Sequence, residues 1–389
     1  MLKNNTTIKN LSCGVTAFLF IFSYSLCFAV SLQLNIWYAL VTAITASLIS
    51  VSLKSEVLAP DTFFTVPLLL VLSSGNNALL PFSVIGGALI YFALNKKFKT
   101  DSIHPAVFGG LSLSLAFSVT ALLTTHYFGI GAEGFTVIEI LKTYRSLGFH
   151  PNWRGVFFGT ITLFAMITYP FKFRKANKYF PAECFALFLP LILNIILNPE
   201  SEYTPINELT KNFDFINQSD LSFFLPSFNS NFELSMQSYI NAFQSAFSIG
   251  VMLLLFNSKS TRTDSTGTAS ILNGIQGGFP VRNYKIRGYS LTSAIVSVLL
   301  TTYTCFFLDD ILMRIPLHSA AVVLIVNAWK QVPFNKIATG FKNGVLSTAT
   351  IFIIFIFSIF TNIFIVILLA ITLNVLLSYF PSKGGAHNG

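Results

Sequence analysis

Apolar segments with almost no charged residues alternate with short polar stretches along most of the chain. Seven precede one long polar stretch and seven follow it, at approximately 11–31, 35–53, 59–73, 80–94, 105–128, 152–171 and 181–198, then 235–256, 266–280, 281–288, 289–308, 316–332, 344–361 and 363–380. A helix needs about 20 apolar residues to cross a bilayer. The pattern therefore predicts an all-α polytopic membrane protein in which several segments are too short to span alone.

Breaks within the short segments point to a repeat. The first set begins near Leu11 and the second near Ser235, and the same offset places a counterpart of the break at 59–62 near position 283, where the sequence reads GGFPVRN at 277–283. Broken helices at matching positions of two inverted halves are typical of a transport site. We predict a 7+7 inverted-repeat fold with two short half-helices, divided into repeats 1–198 and 235–380, a loop 199–234 and a tail 381–389.

The amino-acid composition also indicates that most of the chain lies in a lipid bilayer. Of the 389 residues, 53% are hydrophobic and 10% charged, and 42 are Phe, so a soluble domain could not bury the apolar surface. The sequence shows no GxSxG elbow, phosphate loop or metal-ligand spacing, which argues against an enzyme, a metal site or a cofactor. The four cysteines stand singly in apolar segments and are interpreted as core residues.

Basic and acidic residues lie in different loops. The net charge of +9 comes from short basic clusters between apolar segments, whereas 199–234 is acidic. Because cytoplasmic loops of membrane proteins are enriched in Lys and Arg, we expect both termini in the cytoplasm, the loop 199–234 outside, and a bacterial inner membrane. The same interpretation makes nucleic acid an unexpected partner.

Short motifs along nearly the whole chain resemble the sulfate permease (SulP) family of anion transporters. These are NLSCGVT at 10–16 with LCFA at 26–29, APDT at 59–62, GGFPV at 277–281 and RIPLHSAAV at 314–322. The resemblance implies a core domain of segments one to four and eight to eleven, a gate domain of the others, alternating access and a homodimer. The family's C-terminal STAS domain has no counterpart here, so a transport domain alone is expected.

The chain also departs from the family pattern. Between GGFPV at 277–281 and Tyr289 the sequence is about a dozen residues shorter than the family pattern, so the tenth segment is short or in a different register. The stretch 248–253 lacks the Glu that many members carry in the eighth helix. Proton coupling through a carboxylate at that position is therefore not expected.

Candidate site residues follow from the two predicted half-helix N-termini, 60–65 and 280–288, which would offer unpaired N–H groups to an anion. Pro60 and Thr62 lie at the first. Asp61 there is either an N-cap or a group that takes up a proton to couple transport. Arg282 and Arg287, near Lys285, are either fixed charges for the anion or an ordinary basic cluster.

The other candidates line the cavity only by resemblance or position. Tyr24 and Phe28 lie four apart on the first helix, hence on one face, and match cavity-lining positions of the family, although packing is the alternative. Gln244 and Ser248 offer neutral donors on the eighth helix, where a serine is commonly a packing residue.

The predicted function is secondary active transport of a small anion, such as sulfate, bicarbonate or a dicarboxylate, with H⁺ or Na⁺ as the coupling ion. A nucleobase permease of the same fold is the alternative, disfavoured by the missing carboxylates of its eighth and tenth helices. A membrane-embedded scaffold or enzyme is the alternative from another class.

Overall fold

The computed structural model describes residues 2–34, 36–72, 79–96, 103–130, 134, 136–197, 235–256, 264–286, 289–307, 309–312 and 314–379. The predicted loop 199–234, the tail 381–389 and the candidate Arg287 lie outside this part of the chain.

Helices dominate the described residues, as the apolar pattern predicts. They are α1 Leu2–Ser31, α2 Ile36–Ser52, α3 Thr65–Leu72, α4 Leu80–Asn95, α5 Pro105–Phe128, α6 Val137–Leu147, α7 Trp153–Lys172, α8 Ala182–Leu197, α9 Met236–Phe256, α10 Asp264–Ile275, α11 Leu291–Phe307, α12 Asp309–Leu312, α13 Leu317–Lys330, α14 Phe334–Lys342, α15 Val345–Phe360 and α16 Ile363–Tyr379.

Four helical stretches in the described chain are long and apolar enough to cross a bilayer: Lys9–Ser31, Pro105–Phe128, Trp153–Lys172 and Met236–Phe256. Seven shorter apolar helices of 10–17 residues accompany them. A short apolar helix at membrane depth is tolerated where other protein segments cover its ends. The chain is an integral membrane protein.

Two short strands meet inside this helical bundle. β1 (Val57–Pro60) pairs antiparallel with β2 (Val281–Tyr284), so that Ala59 faces Arg282. Their last residues, Pro60 and Tyr284, stand 224 positions apart. The breaks therefore lie where the repeat offset predicts them, and each strand satisfies backbone groups of the other away from water.

The first break leads into the predicted half-helix. A turn of 3-10 helix, Thr62–Phe64, runs directly into α3, Thr65–Leu72, and Asp61 is its N-cap. The whole stretch from Val57 to Phe64 is buried. One end of a helix therefore lies inside the protein, where the Asp61 carboxylate accepts the Phe63 N–H.

The second break differs from the prediction of a helix over 281–288. Residues 281–284 form β2, the described residues 285, 286, 289 and 290 are not helical, and the next helix begins at Leu291. Strand pairing uses the first half of the segment, and too few residues remain before α11 for a half-helix. The predicted helix N-terminus at 280–288 is wrong for the described residues there.

The turn before β2 requires glycine. Gly277 follows α10 with φ of 81°, a left-handed conformation that side chains disfavour. The Thr42 hydroxyl accepts the Phe279 N–H at 2.9 Å, and the Asn273 side chain donates to the Phe279 carbonyl at 2.9 Å. The segment that leads to Arg282 is thus fixed by α2 and α10.

Helix packing is reciprocal between the first and last parts of the chain. α9 packs on α4 as α1 packs on α11, and α10 packs on α4 as α11 packs on α2. α5 packs mainly on α13, α14 and α15, and α7 on α13 and α8. Such exchange of partners is expected of two related halves. The domain boundaries stay predictions.

Two amphipathic helices were not among the predicted segments. α6 begins with a capping box, in which the Thr136 hydroxyl accepts the Glu139 N–H and the Glu139 carboxylate accepts the Thr136 N–H. α14 places Lys336 3.8 Å from the centre of the Phe108 ring. Both have too many polar residues to appear as apolar segments, and the sequence TVIE at 136–139 was the available signal for α6.

Candidate functional site

The strand pair brings Asp61 and Arg282 together. The Asp61 carboxylate is 1% exposed, and its Oδ2 accepts a hydrogen bond from Arg282 Nη1 at 2.6 Å. Its Oδ1 accepts the Phe63 N–H at 3.0 Å, which is the N-cap bond of the half-helix. The predicted N-cap role is confirmed, and the same carboxylate is also the partner of a guanidinium.

Arg282 contacts both the N-cap residue Asp61 and Gln331 at the end of α13. Besides Asp61, its Nη1 donates to Gln331 Oε1 at 3.1 Å, just after the last residue of α13. The side chain keeps 22% of its surface exposed although its partner Asp61 is almost fully buried. A planar guanidinium can serve several acceptors at once, so Arg282 remains accessible to a further one.

Tyr284 completes the contacts of the carboxylate. Its hydroxyl lies 3.2 Å from Asp61 Oδ2 and 3.5 Å from the Pro60 carbonyl oxygen. The Arg282 guanidinium carbon lies 5.7 Å from the Tyr284 ring centre, which is cation–π range. Two residues of β2 thus face the residue that precedes the half-helix.

Buried polar atoms without a hydrogen-bond partner occur on this pair, on its partner Gln331, and on residues close to them along the chain. Among the described residues they include Arg282 Nε, Gln331 Nε2 and the hydroxyls of Thr62 and Thr65. Asn327, one helical turn before Gln331, also has both side-chain polar atoms unpartnered. Unsatisfied buried donors cost about 1–3 kcal/mol each. A group rich in acceptors would relieve that cost.

Aromatic side chains form the wall beside the ion pair. The Tyr24 ring lies 4.7 Å from Phe20 and 5.9 Å from Tyr284, so Tyr24 of α1 faces the site. Phe28 packs on Phe279 at 5.5 Å and is fully buried. Both predicted aromatic residues therefore contact the segment around β2.

The predicted polar residues of α9 make other contacts. Gln244 Oε1 accepts a hydrogen bond from Asn362 Nδ2 at 3.0 Å, which joins α9 to the turn between α15 and α16. The Ser248 hydroxyl donates to the Gln244 carbonyl within its own helix at 2.7 Å. Neither residue has a contact with Asp61 or Arg282 among those described, and their binding role stays a prediction.

Lys285, three residues after Arg282 in the sequence, is exposed and does not join the ion pair.

The candidate residues did not include four that the structure places on or near the ion pair: Tyr284, Gln331, Asn327 and Thr65. The repeat offset pointed at the position of β2, and alternation along that strand was the available signal for Tyr284. Nothing in the sequence around Gln331 distinguishes it from an ordinary helix end.

The arrangement suits an oxyanion more than a metal ion. The unpartnered atoms on and beside the ion pair include a guanidinium nitrogen, an amide nitrogen and two hydroxyls, all of which can donate hydrogen bonds. In the described chain, no group of three or more His, Cys, Asp or Glu side chains is placed to hold a metal.

Solved structures of anion transporters resemble this one over nearly its full length. The transmembrane domain of the cyanobacterial bicarbonate transporter BicA matches with a TM-score of 0.69 and 15% identity, covering 94% of this chain and 97% of that one. The fold is that of a SulP-type transmembrane domain. SLC26A9 matches with a TM-score of 0.74 and 12% identity, covering 97% of this chain and 66% of that one.

A murine Slc26a9 structure, described as an anion transporter in the inward-facing state, gives a TM-score of 0.72 with 12% identity, covering 96% of this chain and 68% of that one. No protein-family profile matches the sequence, and no curated protein matches it. The SulP-type fold predicted from short motifs is thus confirmed at the level of structure.

Proposed function

We propose that this protein is a secondary active transporter of a small anion, sulfate-like, bicarbonate or a dicarboxylate, that works by alternating access with H⁺ or Na⁺ as the coupling ion. The observation that carries the proposal is the group of unpartnered donors around Arg282 at the N-terminus of the half-helix. The fold, shared with a bicarbonate transporter and an anion transporter, supports it.

The geometry suggests how an anion is held. The guanidinium Nε and the amide of Gln331 supply charge and directed hydrogen bonds, and the hydroxyls of Thr62 and Thr65 extend the donor set toward the half-helix. The positive end of that helix adds to the local potential. Because β2 stands where a second half-helix was predicted, the charge of Arg282 replaces the partial positive charge that a second helix N-terminus would have supplied.

The proposal also includes an orientation and an assembly. The Thr16 hydroxyl donates to the Tyr179 carbonyl at 3.0 Å, which brings the first part of α1 to the same side as the basic stretch 172–178. Positive residues favour the cytoplasmic side. Both termini in the cytoplasm, a bacterial inner membrane and a homodimer formed through the gate helices complete the proposal.

Uptake into proteoliposomes tests the function. The purified chain is reconstituted and challenged with radiolabelled sulfate, bicarbonate and succinate, and separately with uracil. We expect saturable uptake of at least one anion, abolished by Arg282→Gln and strongly reduced by Arg282→Lys, because Lys offers a point charge where the site uses a planar fork.

Arg174→Gln is the matched control, since Arg174 is exposed after α7 and should leave uptake unchanged. Uptake of uracil instead of any anion would support the nucleobase permease. No uptake of any of the four compounds by a folded protein would refute transport.

A further inference from the structure

The charges at the site balance before any anion arrives. Among the described residues in contact with one another there, Asp61 and Arg282 carry one negative and one positive charge. The neighbouring pair, Glu183 on α8 and Lys330 on α13, lies 3.7 Å apart and compensates itself. An anion bound at Arg282 would leave two negative charges, or three if the anion is divalent, facing one positive charge in a largely buried place, which is strongly unfavourable.

We propose that Asp61 takes up a proton whenever an anion binds at Arg282, so that one proton crosses the membrane with each anion through this carboxyl group. The proposal rests on the proposed function. The proton comes from the aqueous side that supplies the anion, adds to Asp61 Oδ2, and leaves with the anion on the opposite side. The guanidinium, released from the carboxylate, becomes the partner of the anion.

The Tyr284 hydroxyl can form a hydrogen bond with either the ionised or the protonated form of Asp61. A tyrosine hydroxyl has one hydrogen to donate and lone pairs to accept. With Asp61 ionised, the hydroxyl donates to Oδ2 at 3.2 Å; with Asp61 protonated, it accepts from the new O–H and turns its hydrogen to the Pro60 carbonyl at 3.5 Å. Both states therefore have complete hydrogen bonds without movement of the strands.

The surroundings favour a proton over a sodium ion. The groups directed at Asp61 are the Phe63 N–H, the Arg282 guanidinium and the Tyr284 hydroxyl, all donors in the present state. Sodium sites in transporters use backbone carbonyls and other oxygens turned toward the ion. The Phe63 N–H and the guanidinium have no lone pair to offer an ion, so the Tyr284 hydroxyl is the one of these three groups that could turn an oxygen toward sodium.

Other titratable groups near Asp61 belong to the elements packed on it. α1 contributes Tyr24, beside Tyr284, and α8 contributes Glu183, already paired with Lys330. The helices α5, α9 and α13 pack on the 3-10 turn, and each has its titratable residues at or near its ends. These are His126 and Tyr127 on α5, Tyr239 on α9, and His318 and Lys330 on α13. Among the described residues, Asp61 is thus the carboxylate in contact with Arg282.

Gradient-driven uptake of radiolabelled sulfate and chloride by the reconstituted full chain tests the proposal. With the membrane potential held at zero, an inward proton gradient of about one pH unit should concentrate the anion about tenfold when one proton moves with it. Asp61→Asn keeps the N-cap, because Asn caps helices as well as Asp does, but has no acid to protonate. Whatever uptake this variant retains should be downhill only, without the tenfold accumulation. Tyr284→Phe should weaken accumulation.

The matched control is Glu139→Gln, which removes one carboxylate from the exposed capping box of α6 and should behave as the wild type. A second measurement does not depend on any variant folding: sulfate or chloride is added to the purified wild-type chain in weakly buffered detergent solution with a pH indicator. We expect about one proton taken up per anion bound.

Anion binding without proton uptake, or unchanged accumulation by Asp61→Asn, would overturn the role of Asp61 while leaving anion transport intact. Absence of both binding and downhill uptake in the wild type would instead refute the proposed function. The two failures are therefore distinguishable.

Discussion

Single residues in this bundle are constrained most where helices pass close together. His318, at the start of α13, is 2% exposed and lies against the beginning of α7. A Cβ added at Gly155 would overlap the His318 ring at Nε2 and Cε1. Because interiors are close-packed, the imidazole ring has no free space to move into.

Gly155→Ala should therefore destabilise the protein by about 1–3 kcal/mol, the usual cost of overpacking. Thermal unfolding in detergent, followed by loss of monodisperse protein, measures the effect. The double variant Gly155→Ala with His318→Ala should recover much of the lost stability, because the imidazole ring that overlaps the added methyl group is absent. Equal melting temperatures of the wild type and the Gly155 variant would contradict the packing described.

At the scale of elements, helix termini are set by local hydrogen bonds. α6 is short and its sole buried side chains are Val137 and Ile140, so tertiary contacts contribute little to it. Its capping box satisfies two backbone N–H groups that no other part of the helix could satisfy.

Thr136→Ala should cost the first turn of α6 about 1 kcal/mol. Hydrogen exchange measured peptide by peptide should rise by about fivefold over 137–147 and stay unchanged in α5. Ser146→Ala, which removes a hydroxyl near the end of the same helix, is the control. Unchanged exchange after loss of Thr136 would show that tertiary contacts, not the cap, hold the helix.

The apolar pattern predicted most spanning helices because each is a continuous hydrophobic run whose position depends on its own residues. The break at Pro60 and the N-cap Asp61 were predictable for the same reason: both act on adjacent backbone. The state of 281–288 was not, since a strand there depends on β1, more than two hundred positions away along the chain. Gln331 joined the site through tertiary packing alone.

At the scale of the whole molecule, transport by alternating access requires one group of helices to move against the other. The contact between Gln244 on α9 and Asn362, at the turn between α15 and α16, links the predicted core to the predicted gate. Such a contact must change if the two groups of helices move relative to each other.

Cross-linking tests that movement. A short, reducible thiol cross-linker applied to a double variant, Gln244→Cys with Asn362→Cys, should reduce anion uptake to background, and reductant should restore it. Each single variant treated in the same way is the control for modification alone and for reaction at the four native cysteines, of which Cys13, Cys27 and Cys184 are buried. Full uptake after complete cross-linking would exclude relative motion at this contact.

The pairing of β1 with β2 also sets the order in which the protein can mature. Closing a connection of more than two hundred residues is entropically costly and slow compared with forming helices. Until β2 has been synthesised and inserted, the backbone of β1 lacks its partner and the Asp61 carboxylate lacks Arg282. The first part of the chain therefore reaches the membrane before β1 and the Asp61 carboxylate have the partners that the second part supplies.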